Sequence, residues 1–130
     1  MIDEALAGEL ARHWDEGWNG YDLETIMAPF AEDVVFSSPF VARATGDRAK
    51  TTIEGREALR AYIAGALERA PGIRYTLDAT YAGTESVVLV YTCHLPDGTD
   101  KPGADSMRVD DAGQVVEWRC HYTPAFNATV

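Results

Sequence analysis

Leu6, Leu10, Trp14 and Trp18 recur every four residues near the start of the chain and make one broad apolar stripe. That spacing predicts an amphipathic helix from about Asp3 to Asn19, with Asp3 as its cap and Gly20 as its stop. Tryptophans on such a stripe are core residues first and pocket walls second. A short second helix is predicted from Asp22, an N-cap candidate, through Leu23, Ile26 and Met27, limited by Pro29. Asp33–Ser38 (DVVFSS) is β-branched and aromatic and stops at Pro39, which predicts a strand. Phe40–Thr52 is polar and predicts a loop, with a brief strand at Thr51–Ile53. Leu59, Tyr62, Ile63, Ala66 and Leu67 then mark a helix over Glu54–Ala70, ended by Pro71-Gly72.

From Ile73 onward the period changes to two, as in a strand whose alternate side chains share a face. Ile73, Tyr75, Leu77, Ala79 and Tyr81 form one such face. Three more strands follow, SVVLVYTCHL, ADSMRVD and QVVEWRCHY, joined by the turn-forming runs PDGTDKPG and DAG. In the last of them Val116, Trp118, Cys120 and Tyr122 share an apolar face, and Glu117, Arg119 and His121 a polar one. Met107 and Val109 share a face with Asp105, and Val88 and Val90 share one with Thr92 and His94. A carboxylate and an imidazole on apolar faces of neighbouring strands break the pattern, which singles out Asp105 and His94. The element order predicts a single α+β domain over 1–130. Its curved, mostly antiparallel sheet would carry three helices from the N-terminal half on one face and leave a conical cavity between them.

At 130 residues the chain is long enough for a core of its own. Its formal charge of -10, from 21 acids against 11 bases, argues against nucleic acid and anionic membrane as partners. No apolar run approaches the roughly 20 residues of a membrane span. The opening MIDEALAGELARHW is too acidic for a signal peptide, so a cytoplasmic protein is expected. Cys93 sits opposite the Val88/Val90 set and Cys120 within the apolar set of its strand, so the two thiols are expected to point apart and stay free.

Candidate chemistry centres on Asp105. In an apolar cavity its pKa would rise toward neutrality and make it an acid or base, with Met107, Val109, Trp118 and Tyr122 as low-dielectric wall. The alternative is a carboxylate held by a loop or a strand edge. His94 either faces solvent beside Pro96 or sits at the cavity mouth and helps Asp105. Ser37 and Ser38 either hold the turn before Pro39 or bind a substrate oxygen. Trp14, Trp18, Tyr62 and Thr92 complete the expected pocket lining. Glu117, Arg119 and His121 read as the outer sheet face, and His13 as helix surface. The histidines His13, His94 and His121 share no metal-ligand spacing, so neither metal nor cofactor is expected. A Ser38-His94-Asp105 triad lacks the nucleophile-elbow context.

Several stretches together resemble the SnoaL-like and ketosteroid-isomerase-like members of the nuclear transport factor two superfamily, whose fold is cystatin-like. They are Trp18-Asn19-Gly20-Tyr21-Asp22-Leu23, Phe30 through Phe36, Ile53 through Leu59, and Asp105 through Val116. Ketosteroid isomerases use a general-base Asp on the first strand and an oxyanion hole of a first-helix Tyr and a protonated later-strand Asp. The resemblance sets Ser38 at the first position, Trp14 at the second and Asp105 at the third, so two of those groups are replaced and that steroid mechanism is not expected. His94 falls where those isomerases have an inward aromatic residue, which implies an inward side chain. The SnoaL-type polyketide cyclases resemble this chain in relying on an acid/base Asp in the region of Asp105. On this fold the outer sheet face often pairs subunits, which implies a homodimer through Glu117, Arg119 and His121. The function expected is a cofactor-free acid/base enzyme (isomerase, cyclase or dehydratase) acting on a small apolar carbonyl or hydroxyl compound. The alternative is a non-catalytic ligand-binding or regulatory dimer.

Overall fold

A computed structural model describes residues 1–130. Helix α1 (Glu4–Asn19) begins where Asp3 accepts the Leu6 N–H at 2.9 Å. It buries Ala7, Leu10, Trp14 and Gly17, while Leu6 and Trp18 lie half-buried at the edges of the stripe. A strict four-residue spacing advances about 40° per step on a 3.6-residue helix, which carries the outermost members off the core face. Helix α2 (Leu23–Met27) packs Ile26 against Gly17, where a Cβ would lie 2.6 Å from the Ile26 Cγ1 atom.

Strand β1 is Phe30–Ser37, three residues longer at its start than the β-branched run suggested. The predicted loop after it is partly a helix, α3 (Pro39–Thr45). Ser38 caps it by accepting the Phe40 N–H at 3.1 Å, and Gly46 ends it in the left-handed region at φ 75°. Pro39 stops the strand and also suits the first turn of a helix, where no N–H is needed. Strand β2 is Thr52–Glu54, so α4 (Arg56–Arg69) starts after Gly55 and not at Glu54.

Strands β3 (Arg74–Ala82), β4 (Ser86–His94), β5 (Asp100–Val109) and β6 (Val115–His121) form the expected antiparallel meander. The sheet is larger than that, with six strands in the order β2-β1-β6-β5-β4-β3, because β1 docks parallel to β6 and β2 joins β1 antiparallel. A short helix, α5 (Pro124–Asn127), closes the chain.

Three expected strand faces change. In β4 the interior residues are Val87, Leu89 and Tyr91, at 0%, 0% and 5% exposure, so Val88, Val90, Thr92 and His94 line the outer face. Both alternating sets of this run begin apolar, so periodicity alone does not choose between them. In β6 a register shift pairs Val109 with Val115, which buries Val115 and leaves Val116 half-exposed. A similar shift between Leu77 and Ala79 turns Tyr81 to the outer face, where it is 63% exposed. The interior strand residues meet α1, α2 and α4 in one core that includes Leu10, Met27, Leu59 and Ile63.

Candidate active site

Between the sheet and the helices lies a cavity of about 1000 Å³, lined mostly by apolar and aromatic side chains. Asp105 is at its floor, 2% exposed in the middle of β5. Its cross-strand neighbours Leu89 and Cys120 point to the same interior. Trp14 donates its indole N–H to Asp105 Oδ2 at 3.0 Å, and Tyr91 donates its hydroxyl to Oδ1 at 3.1 Å. The Trp118 indole and the Cys120 thiol also face the carboxyl and favour its charged form. The Trp118 N–H nonetheless makes no hydrogen bond and remains a buried donor without a partner.

Burial dominates over these donors. Loss of water raises the Asp105 pKa above the usual carboxylate range, against the opposing pull of Cys120, Trp14, Trp118 and Tyr91. Burial also pushes the Tyr62 phenol up to about 12, and those of Tyr75, Tyr91 and Tyr122 upward. These four phenols therefore stay neutral near pH 7 and serve as donors and acceptors, not as anions. The Cys93 and Cys120 thiols are raised by burial as well, which makes both poor nucleophiles.

Trp14, Trp18, Ser38, Tyr62, Trp118 and Tyr122 all line the cavity with Asp105. Ser38 does so while capping α3, and its hydroxyl and the Tyr91 phenol draw the Tyr122 phenol down against the larger upward push of burial. Met107 is buried in the core and not on the cavity wall. Thr92 lies on the outer face, donating to Asp78 Oδ2 at 2.7 Å. His94 is there too, held by Thr76 Oγ1 at 2.7 Å and by Asp100 Oδ1 at 2.7 Å.

His94 and Asp105 therefore do not meet. His94 pairs with Asp100 across the ladder and Asp105 with Leu89, five residues further along β5, a run of about 17 Å at strand spacing. The inward direction inferred for His94 is corrected by the same choice of face that buried Tyr91. Cys93 moves inward by that correction and lines the cavity with Cys120, and both remain free thiols. The outward residues Glu117 and Arg119 pair with each other at 3.0 Å, and His121 contacts the Ala104 carbonyl at 3.2 Å. His13, on α1, contacts the Thr25 carbonyl at 3.2 Å.

Sequence reasoning missed Tyr91, Tyr75 and the cavity mouth. Leu89 and Tyr91 alternate with Val87, and that apolar set ending in a phenol was the available sign for Tyr91. At the mouth, Phe40 of α3 meets Tyr122 with ring centres 4.9 Å apart and Phe126 of α5 at 4.6 Å. Thr123-Pro124, a cap residue followed by proline, was the available sign for α5. Tyr21 was also overlooked: its hydroxyl donates to the Ala70 carbonyl at 2.6 Å and accepts the Ile73 N–H at 2.8 Å, fixing the turn between α4 and β3 beside the cavity.

No three His, Cys, Asp or Glu side chains converge in a way that would hold a metal ion. No helix is long and apolar enough to cross a membrane. What the site offers is an apolar chamber with one protonatable carboxyl at its floor, flanked by neutral hydrogen-bonding groups.

Residues 11–118 match the model of the SnoaL-like domain, and the chain belongs to that family. Among solved structures it is similar to a SnoaL-like protein of unknown function from Burkholderia thailandensis, with 28% identity, a TM-score of 0.81, and 95% of this chain and 99% of the other covered. It is similar in fold to a nuclear transport factor two-like protein of unknown function from Mesorhizobium loti, with 22% identity, a TM-score of 0.74 and coverage of 95% and 97%. A candidate isomerase of the SnoaL-like family from Agrobacterium tumefaciens shares the fold at 18% identity and a TM-score of 0.71, with 92% and 98% covered. No curated protein matches the sequence.

Proposed function

We propose that the protein is an acid/base enzyme that needs no cofactor and moves a proton on a small, largely apolar carbonyl or hydroxyl compound. The observation that carries this reading is the burial of Asp105 at the floor of the cavity, with its pKa raised by loss of water. A carboxyl poised nearer neutrality both takes and returns a proton at working pH, which contributes about 10²–10⁴ in rate. Isomerisation, aldol-type cyclisation and dehydration all need such a group. Membership in a family that includes isomerases and cyclases supports the same class.

In this reading Asp105 is the catalytic acid or base, and Trp14 and Tyr91 are positioning residues that hold its two oxygens. Trp118 and Tyr122 shape the chamber above it. His94 has no part, because it lies on the other face of the sheet.

Incubation with a panel of apolar ketones in D₂O tests the proposal. Wild-type protein is expected to introduce deuterium next to the carbonyl of a bound ketone, and Asp105→Asn to bind it without exchange. Equal exchange by both proteins, or none with any ketone shown to bind, would defeat the enzyme reading.

A second reading is favoured by one feature of the site: both Asp105 oxygens already accept hydrogen bonds from the protein. A carboxyl so engaged suits a non-catalytic ligand-binding protein in which Asp105 fixes the cavity floor. We also propose a homodimer through the outer sheet face. Val88, Val90 and Ala104 lie half-exposed at its centre, with Glu117, Arg119 and His121 beside them.

A further inference from the structure

The chain has 11 basic residues against 21 acids, yet Arg43 of α3, Arg69 at the end of α4 and Lys101 of β5 all line this one cavity. They come from three separate elements and are exposed, so they form part of its mouth. Lys101 is on the interior face of β5, paired across the ladder with Cys93, whose thiol feels its charge. The Arg69 guanidinium folds back over Gly65 on its own helix, where a Cβ would lie 2.8 Å from the Arg69 Nη1 atom. The Arg43 guanidinium lies 5.5 Å from the centre of the Phe126 ring. Arg12, Arg60 and Arg119 each make a salt bridge with a glutamate, whereas Arg43, Arg69 and Lys101 make none, although the Lys101 charge reaches Asp97 at longer range.

Asp100 is the one other carboxylate of the lining besides the buried Asp105. It is bonded to His94 on the outer face of the sheet at 2.7 Å. Its hydrogen bond is thus made on the outer face while its charge still reaches the Cys93 thiol, and three cations against this one rim acid leave the mouth with an excess of positive charge in a chain that otherwise repels anions.

We infer that the cavity's ligand is an amphipathic anion: its carboxylate or phosphate head sits among Arg43, Arg69 and Lys101, and its apolar body lies on the aromatic walls above Asp105. This rests on the reading of the cavity as a ligand site and names the substrate class for it. The arrangement fixes polarity, with the charged end at the mouth and the end to be protonated or deprotonated at the floor.

Binding of 2-naphthylacetate, 2-naphthyl phosphate and the neutral 2-naphthylacetamide, followed by tryptophan fluorescence, tests this inference. At low salt at least one anion is expected to bind about tenfold tighter than the amide, as one charge-assisted contact would give. Which anion prevails identifies the head group. The advantage is expected to shrink in high salt and to vanish in the combined Arg43→Gln, Arg69→Gln, Lys101→Gln variant, with amide binding unchanged. These side chains are exposed, so the variant is expected to fold, and circular dichroism checks it. Equal affinity for anions and amide, binding of none of the three, or a preference that survives in the variant overturns the inference. Asp105→Asn is expected to keep the anion preference. Anion preference without ketone exchange would therefore sink the acid/base reading alone, and exchange without anion preference would sink this inference alone.

Discussion

Trp14 in α1 donates its indole N–H to Asp105 in β5 at 3.0 Å, across 91 positions of sequence. The contact ties the first helix to the middle of the sheet through the one carboxyl in the core. Trp14→Phe keeps the ring and removes the donor. Losing a hydrogen bond to a buried carboxyl is expected to destabilise the fold by about 1.5–3 kcal/mol. It should also raise the Asp105 pKa further, since the lost donor favoured the charged form. Denaturant unfolding and a carboxyl titration check the two parts.

Gly103→Ala reaches the same carboxyl from the other side. A Cβ on Gly103 would lie 2.6 Å from Cζ and 2.7 Å from the hydroxyl oxygen of Tyr91. The phenol that donates to Asp105 Oδ1 must then move. The expected cost is about 1–3 kcal/mol from overpacking, measurable by thermal unfolding.

Asp105 should leave a pH signature in stability. In the unfolded chain its carboxyl titrates near about 3.9, and in the folded protein at higher pH. Between those values the folded state holds more protons than the unfolded one, so stability falls as pH rises. The contribution is complete below the unfolded value and lost above the folded one. Asp105→Asn is expected to remove this decline, seen as a flatter stability profile from pH 4 upward.

His94 and Asp105 lie on opposite faces of the sheet. His94→Ala is therefore expected to leave the Asp105 titration where it is in the wild type. A shift in that titration would show that the two are coupled after all.

Val90→Glu puts a charge in the half-buried centre of the outer sheet face. If copies of the chain pair there, sedimentation should show the wild type as a dimer and the variant as a monomer of unchanged fold. A wild-type monomer would contradict the pairing.

The fold was largely legible because its signals are periodic. The α1 stripe, the Pro71-Gly72 stop and the meander turns each report a local preference that the tertiary structure keeps. What was not legible depended on choices between equal local patterns. In β4 two apolar sets alternate, and only packing against β5 and the helices decides that Leu89 and Tyr91 go inside. That choice displaced His94 and Thr92 from the expected site and brought in Tyr91 and Cys93. The register shift in β6 and the dual meaning of Pro39 are of the same kind. Asp105 was legible because a lone carboxylate in the Met107 and Val109 set stands out whatever the neighbouring strand does.

Burial holds the Asp105 carboxyl protonated to higher pH than an ordinary aspartate. Carbon-13 NMR of the side-chain carboxyls measures it directly, with the Asp105→Asn spectrum supplying the assignment. The expected midpoint lies clearly above about 3.9 and belongs to one resonance that disappears in the variant. A midpoint at or below that value would contradict it.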